Sequence, residues 1–225
     1  MDPSSSISDF SGLVEHQEGL PPWWSERQNR LFLPPGSAVP PIECHEGLEL
    51  PFGAMVVIRT ADSNIVSIIL WGDEPEIYIG DRCTFQSLGL ACEGGSRIHI
   101  DGRFSVGENC TMDARNGGSI TIGEYGLWAN QVRAVTDDMH GIFDIASGER
   151  INRRGSHVRI DRHVWLGLQA LVLPGAEIGE DCVIGARSVV SGSLPPKTLC
   201  VGAPARVIRE GITWHIEDRE RLEDV

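Results

Sequence analysis

From Ile160 onward an aliphatic residue returns at every sixth position: Ile160, Leu166, Val172, Ile178, Ile184 and Val190. Four places after each stands a small or apolar residue, Val164, Ala170, Ala176, Cys182, Ser188 and Leu194, and Gly follows the aliphatic at 167, 179 and 185. A period of six matches neither the 3.6 of an amphipathic helix nor the 2 of a half-buried strand. It is the spacing of a hexapeptide solenoid, in which each hexad gives one short strand and a turn, and three hexads close a triangular coil. The aliphatic points into the prism. The second inward position lies near a corner, where Ala, Ser, Cys or Val fits and Phe is too large. Backbone groups pair with the coils above and below, so the strands are parallel and the rungs lie about 4.8 Å apart.

The pattern also runs earlier, with interruptions. Ile79 and Cys83 mark one hexad; Ile100, Val106 and Met112 mark three more, with Phe104 and Cys110 at the second inward position. Ile122 restarts the count after a short insertion around Ala114 to Ser119. Between residues 135 and 157 the repeat vanishes into VTDDMHGIFDIASGERINRRGSH, which is polar, charged and aperiodic. A long excursion from a strict repeat is a functional or a disordered element, and insertions in repeat arrays gather on one face. The expectation is one long loop protruding from a corner.

The remaining segments follow other rules. Residues 1–54 are dense in Pro and read as an N-terminal extension, with a short helix expected in WWSERQNRLF at 23–32. Its aromatic and aliphatic residues are expected to cap the open end of the solenoid or a subunit contact, with acceptor binding as the other use of the arm. Residues 55–210 are expected to form the solenoid, opening with strands in the run from Met55 to Ile69, and 211–225 read as an acidic surface tail. Net charge is −13 over 225 residues, which argues against phosphate-backbone binding, so no nucleic-acid partner is expected. No stretch of about 18 apolar residues exists to span a membrane, and no basic-then-apolar leader opens the chain, so a cytoplasmic protein is expected. Six cysteines form no CxxC pair, and Cys83, Cys110 and Cys182 fall on the small inward position as compact hydrophobes.

HVWLG at 163–167, VLPGAEIGEDCVIGARSVV at 172–190 and PPKTLCVGAPARVIR at 195–209 resemble the C-terminal signature of the hexapeptide-repeat acyltransferases that use acyl-coenzyme A. Within that family, TDDMHGIFD followed by GERIN and HVWLG is most similar to sialic acid and capsular-polysaccharide O-acetyltransferases. The resemblance implies an all-β fold, a left-handed parallel β-helix. It also implies a homotrimer with a site at each interface, and acetyl-coenzyme A as acyl donor.

The residues of the loop agree with that reading. Acyl transfer from a thioester needs a general base for the incoming hydroxyl or amine, and histidine suits the task near neutrality. His140 is the one histidine inside the excursion, flanked by Asp137, Asp138 and Asp144; a carboxylate or main-chain carbonyl beside it would fix its tautomer. Without the motif it would read as a solvated loop residue. The resemblance places Trp165 beside the thioester and near the base, although packing at a subunit contact would explain it as well. Gly167, a turn glycine in any case, would let the pantetheine arm approach the backbone, with a nearby main-chain N–H for the thioester oxygen. Ala186 and Ser191 match positions that touch the pantetheine, and Arg206 and Arg209 match residues that reach the nucleotide phosphates; a plain solvated surface is the alternative for the two arginines. Where relatives carry Lys after the Ser191 position this chain has Gly192, and Lys197 would have to compensate in the 3′-phosphate contact.

No serine or cysteine stands in a nucleophile elbow, which favours direct transfer in a ternary complex. The expected activity is O-acylation of a sugar or glycoconjugate hydroxyl, with N-acylation of an amino sugar or small amine as the alternative. A non-catalytic scaffold is a more distant one. A zinc site on the same solenoid would need three convergent imidazoles, whereas His157 and His163 stand one hexad apart and so on different faces; no metal is expected.

Overall fold

The computed structural model describes residues 9–61 and 63–222. The expectations for residues 1–8 of the N-terminal extension and 223–225 of the tail lie outside that range. The chain winds into a left-handed parallel β-helix of about seven turns, almost devoid of helix. Its three faces are here called A, B and C in the order in which the chain meets them.

Face A is a continuous ladder whose strands include Met55–Ile58, Glu76–Asp81, Arg97–Gly102, Ser119–Ile122, His157–Ile160, Glu177–Ile178 and Ser193–Leu194. Its register stacks like on like: Ile58, Ile79, Ile100, Ile122, Ile160, Ile178 and Leu194 are each paired with the next. All but Leu194 are buried. A single column of side chains thus runs down the prism, each contributing roughly 1.5–3 kcal/mol of apolar burial.

The hexad fails in the first half because the strands there are too long for it. Thr84–Glu93 bends through a corner without a turn: Thr84 and Phe85 pair with Ser105 and Val106 on face B, while Leu88 to Cys92 pair with Cys110 to Ala114 on face C. Between Trp165 and Leu194 every strand is two residues long, and there the strict period appears.

Phe104 overturns the expectation that the corner admits only small residues. It is fully buried, edge-on to Phe85 at 6.3 Å and to Trp128 at 5.4 Å. Gly126 in the next coil makes the room, since a Cβ there would lie 2.9 Å from the Phe104 ring.

Antiparallel strands edge face A at the N-terminal end and face B at the other. The strand Arg30–Leu33 already extends face A, so the solenoid begins well before residue 55, and Val14–His16 closes its edge antiparallel. The helix in the 23–32 segment is one turn, Trp23–Glu26, and buries Trp24 in the core with Leu31. At the other end Ala205–Glu210 folds back antiparallel on Thr198–Gly202. Among the described residues no helix is long and apolar enough to cross a membrane.

Candidate active site

The excursion leaves face C after the strand Arg133–Val135 and returns to face A at His157. It therefore projects from the C–A corner. Its own polar residues fold it. Asp137, almost wholly buried, accepts at its two carboxylate oxygens from the N–H groups of Met139 and Gly155, closing the mouth of the loop. Burial pushes this carboxyl up, but the hydrogen bonds from Gly155 and Met139 outweigh it and hold the group below the usual carboxylate range.

Farther out, the Asn152 amide donates to Asp138 Oδ2 and to the His140 carbonyl, both at 2.9 Å, and its oxygen accepts from Ile142 N–H at 2.9 Å. Phe143 and Arg150 form an antiparallel bridge, and Asp144 caps the tip through Ser147. His140 is thus held by its main chain with its side chain exposed to solvent.

This differs from the sequence expectation in one respect. Asp137, Asp138 and Asp144 are all used to fold the loop, and among the described residues none of them bonds the His140 ring. The residue that organises the loop is Asn152. Its signal was the GERIN motif, in which it is the last letter.

Trp165 projects outward from face B, stacked in register between Leu127 and Val183, with Leu166 pointing inward. It is 38% exposed. Gly167 follows at the B–C corner. A Cβ there would lie 2.7 Å from the Ala186 nitrogen, so Gly is required for one coil to sit on the next. Its own N–H donates to the Ile184 carbonyl at 2.7 Å and is not free for a thioester oxygen. Ala186, exposed in the coil above, is different: among the described residues neither its N–H nor its C=O has a main-chain partner.

Arg206 and Arg209 lie exposed on the terminal strand that extends face B. Trp165, Gly167, Ala186 and both arginines therefore share face B and its B–C corner. Ser191 and Gly192 sit across the prism, at the C–A corner. Lys197 is at the A–B corner with its Nζ 3.9 Å from Glu180, at the other end of face A from Gly192. His140 is on the loop of the C–A corner, the one corner that does not bound face B.

His157 and His163 go separate ways, as the hexad spacing requires. His157 Nδ1 is 2.9 Å from Ser119 Oγ on face A. His163 Nδ1 is 2.6 Å from Asp181 Oδ1 at the A–B corner. Among the described residues no three metal-ligating side chains converge.

The segment after Gly211 is not the free surface tail that its composition suggested. Trp214 is 9% exposed, and its indole lies on the His163 imidazole. Sequence reasoning missed it because nothing periodic marks residues 211–222.

No family model matches the chain. A galactoside O-acetyltransferase of Escherichia coli is 33% identical over 132 residues, covering 56% of this chain and 58% of its own. A polysialic acid O-acetyltransferase of Neisseria meningitidis is 28% identical over 182 residues, covering 70% and 83%. The crystal structure of the polySia-specific acetyltransferase NeuO superposes with a TM-score of 0.71 at 23% identity, over 87% of this chain and 94% of that one. The chain spans about half to two thirds of the length of most curated relatives it matches. Hexads, sequence relatives and fold agree in what this chain is similar to: the O-acetyltransferases of the hexapeptide-repeat family.

Proposed function

We propose that this protein transfers an acetyl group from acetyl-coenzyme A to a hydroxyl of a sugar or glycoconjugate. The observation that carries the proposal is the pinned loop: a structured excursion holds one imidazole out from an otherwise closed prism. The names of the two curated relatives support O- rather than N-transfer and a carbohydrate acceptor.

His140 is the general base in this reading. It takes the acceptor proton as the oxygen attacks the thioester carbonyl carbon. The tetrahedral intermediate collapses with cleavage of the carbon–sulfur bond, and the imidazolium returns its proton to the departing thiolate. Trp165 flanks the thioester end of the donor, and the unpaired main-chain groups of Ala186 meet the pantetheine amides. Arg206 and Arg209 meet the phosphates through their planar donor forks. Gly167 shapes the wall rather than supplying a donor. Ser191 and Lys197 belong to the donor site only if a second protomer presents its A face there.

That last point follows from the prism. The loop leaves the corner opposite face B, so the base of one protomer meets the Trp165 of another. A closed three-fold assembly brings one corner beside the next protomer's face three times over, and a homotrimer is part of the proposal. A cytosolic enzyme is part of it as well.

The test is turnover of acetyl-coenzyme A against a panel of sugars and sialylated acceptors, read as free thiol. His140→Ala should lower the rate by about 10²-fold or more with coenzyme A affinity unchanged. An unaltered rate would remove His140 from the mechanism.

A further inference from the structure

Residues 211–222 were expected to be a solvated tail, and no motif assigns them a task. Their course says otherwise. Ile212 N–H donates to the Lys197 carbonyl at 3.0 Å, Thr213 Oγ1 donates to Asp181 Oδ1 at 3.0 Å, and Trp214 Nε1–H donates to the His163 carbonyl at 2.8 Å. Lys197, Asp181 and His163 hold the same corner position in three consecutive coils, all at positive φ. Three successive residues thus run down the A–B corner, one per coil, back along the prism and away from its open end. A segment that merely closed the last coil would have no reason to descend.

The descent ends at Trp165. The Trp214 indole lies flat on the His163 imidazole, with centroids 4.4 Å apart and planes 10° from parallel, and that imidazole is held by Asp181. Trp214 also meets Trp165, at 5.9 Å between centroids and inclined by 49°. Trp165 stands on a flat strand between two smaller aliphatic neighbours, so its ring direction is set by what abuts it. Trp214 abuts it from a platform fixed by three hydrogen bonds. Past Trp214 the segment bounds a groove of ≈ 460 Å³ lined by Trp165 and residues 213 to 222, the one contribution from the prism being Trp165.

We infer that the C-terminal segment is a wall of the acyl-donor site and that Trp214 is a positioning residue, setting the direction of the Trp165 ring. The inference rests on the reading of Trp165 as the residue beside the thioester. An indole held at a fixed angle offers a preformed face to the donor, whereas one free to rotate must be ordered on binding.

The experiment uses the full chain, labelled with 5-fluorotryptophan, with the Trp165 resonance assigned through Trp165→Phe. Trp214→Ala should shift and broaden that resonance in the absence of any ligand, and should weaken coenzyme A binding at least tenfold by calorimetry. Trp214→Phe keeps a ring on His163 and should restore most of both. Asp181→Asn serves as a second route to the same loosening without touching either indole. An unchanged Trp165 resonance in both Trp214→Ala and Asp181→Asn would overturn the positioning role, whatever happens to thermal stability. A shifted resonance with unchanged coenzyme A affinity would overturn the donor-wall role. Failure of the wild-type protein to bind coenzyme A would instead refute the reading of Trp165 itself, and with it the donor wall, while the resonance would still decide the positioning.

Discussion

The side-chain amide of Asn152 holds the main-chain carbonyl of His140 at 2.9 Å, twelve residues back along the same loop. The same amide also donates to the Asp138 carboxylate and accepts from the Ile142 N–H, so one side chain ties both flanks of the proposed base. Asn152→Ala removes these three contacts and the hydrogen bond that Arg150 Nε donates to the same amide oxygen. Asp138, His140 and Ile142 are exposed and Asn152 is half-buried, so global stability should fall by only about 1 kcal/mol or less. Turnover should fall about 10- to 100-fold, because a base displaced by an ångström no longer meets its proton. Exchange of the Ile142 amide should accelerate while amides of the coils stay protected. Asn152→Asp keeps the acceptor for Ile142 but sets a second carboxylate against Asp138, and should be no better than alanine. Equal exchange rates in Asn152→Ala and wild type would show that the bridge fixes nothing.

Gly126 and Phe104 form a large–small pair across neighbouring coils. Gly126→Ala forces a Cβ to 2.9 Å from the Phe104 ring and should cost about 1–3 kcal/mol through overpacking. Phe104→Ala empties the same corner and should cost about 3–5 kcal/mol. Gly126→Ala combined with Phe104→Leu should be more stable than the sum of Gly126→Ala alone and Phe104→Leu alone, since the methyl then occupies space the ring has left. Urea unfolding of wild type, Gly126→Ala, Phe104→Leu and their double variant measures the coupling, and strict additivity would mean that the two positions do not share the corner.

That pair marks where sequence legibility stopped. The hexad from Ile160 to Val190 gave fold, strand direction and inward positions without ambiguity, because two-residue strands leave the six-residue period intact. In Thr84–Glu93 a continuous strand carries the chain around a corner, so the period stretches and inward residues must be identified by pairing. The size rule at corners failed at Phe104, since space there depends on a residue in another coil. In the site, His140 and Trp165 stood out through motifs. Asn152 lay within the GERIN motif, but its task did not show, and Trp214 lay in no motif, because their roles depend on contacts made across the loop and across the corner rather than on spacing. The carboxylates around His140 misled for a related reason: closeness in sequence suggested that they orient the ring, whereas their oxygens are taken by N–H groups of the loop.

The cysteines offer a test of the core. Burial pushes the Cys83 thiol up to about 11 and the Cys92 thiol up to about 12, and raises Cys110 and Cys200 as well. Cys182 is also buried, whereas Cys44 is only half-buried. Reaction requires the thiolate and access together. A disulfide reagent at about pH 8 should therefore modify Cys44 alone in the folded protein, and all six thiols after unfolding. Rapid labelling of a second thiol under native conditions would show that a coil opens.

Asp137 ties the loop mouth to pH. Its carboxyl sits below the 3.8 of an unperturbed side chain, since the N–H groups of Gly155 and Met139 favour the ionised form despite its burial. For a lowered folded value the sign is fixed: the contribution is complete above 3.8 and is lost as pH falls through the lower value of the folded loop. Asp137→Asn cannot serve both N–H groups, because its amide nitrogen presents hydrogens where an oxygen stood. At neutral pH the variant should exchange the Gly155 and Met139 amides faster than wild type and be cut sooner within the loop by a protease. On acidification the two proteins should converge, as the wild-type carboxyl takes up its proton and loses the same acceptor. Exchange measured from about pH 6 down to about pH 2 follows that convergence directly. A gap that stays constant over the whole range would mean that the charge of Asp137 does not close the loop.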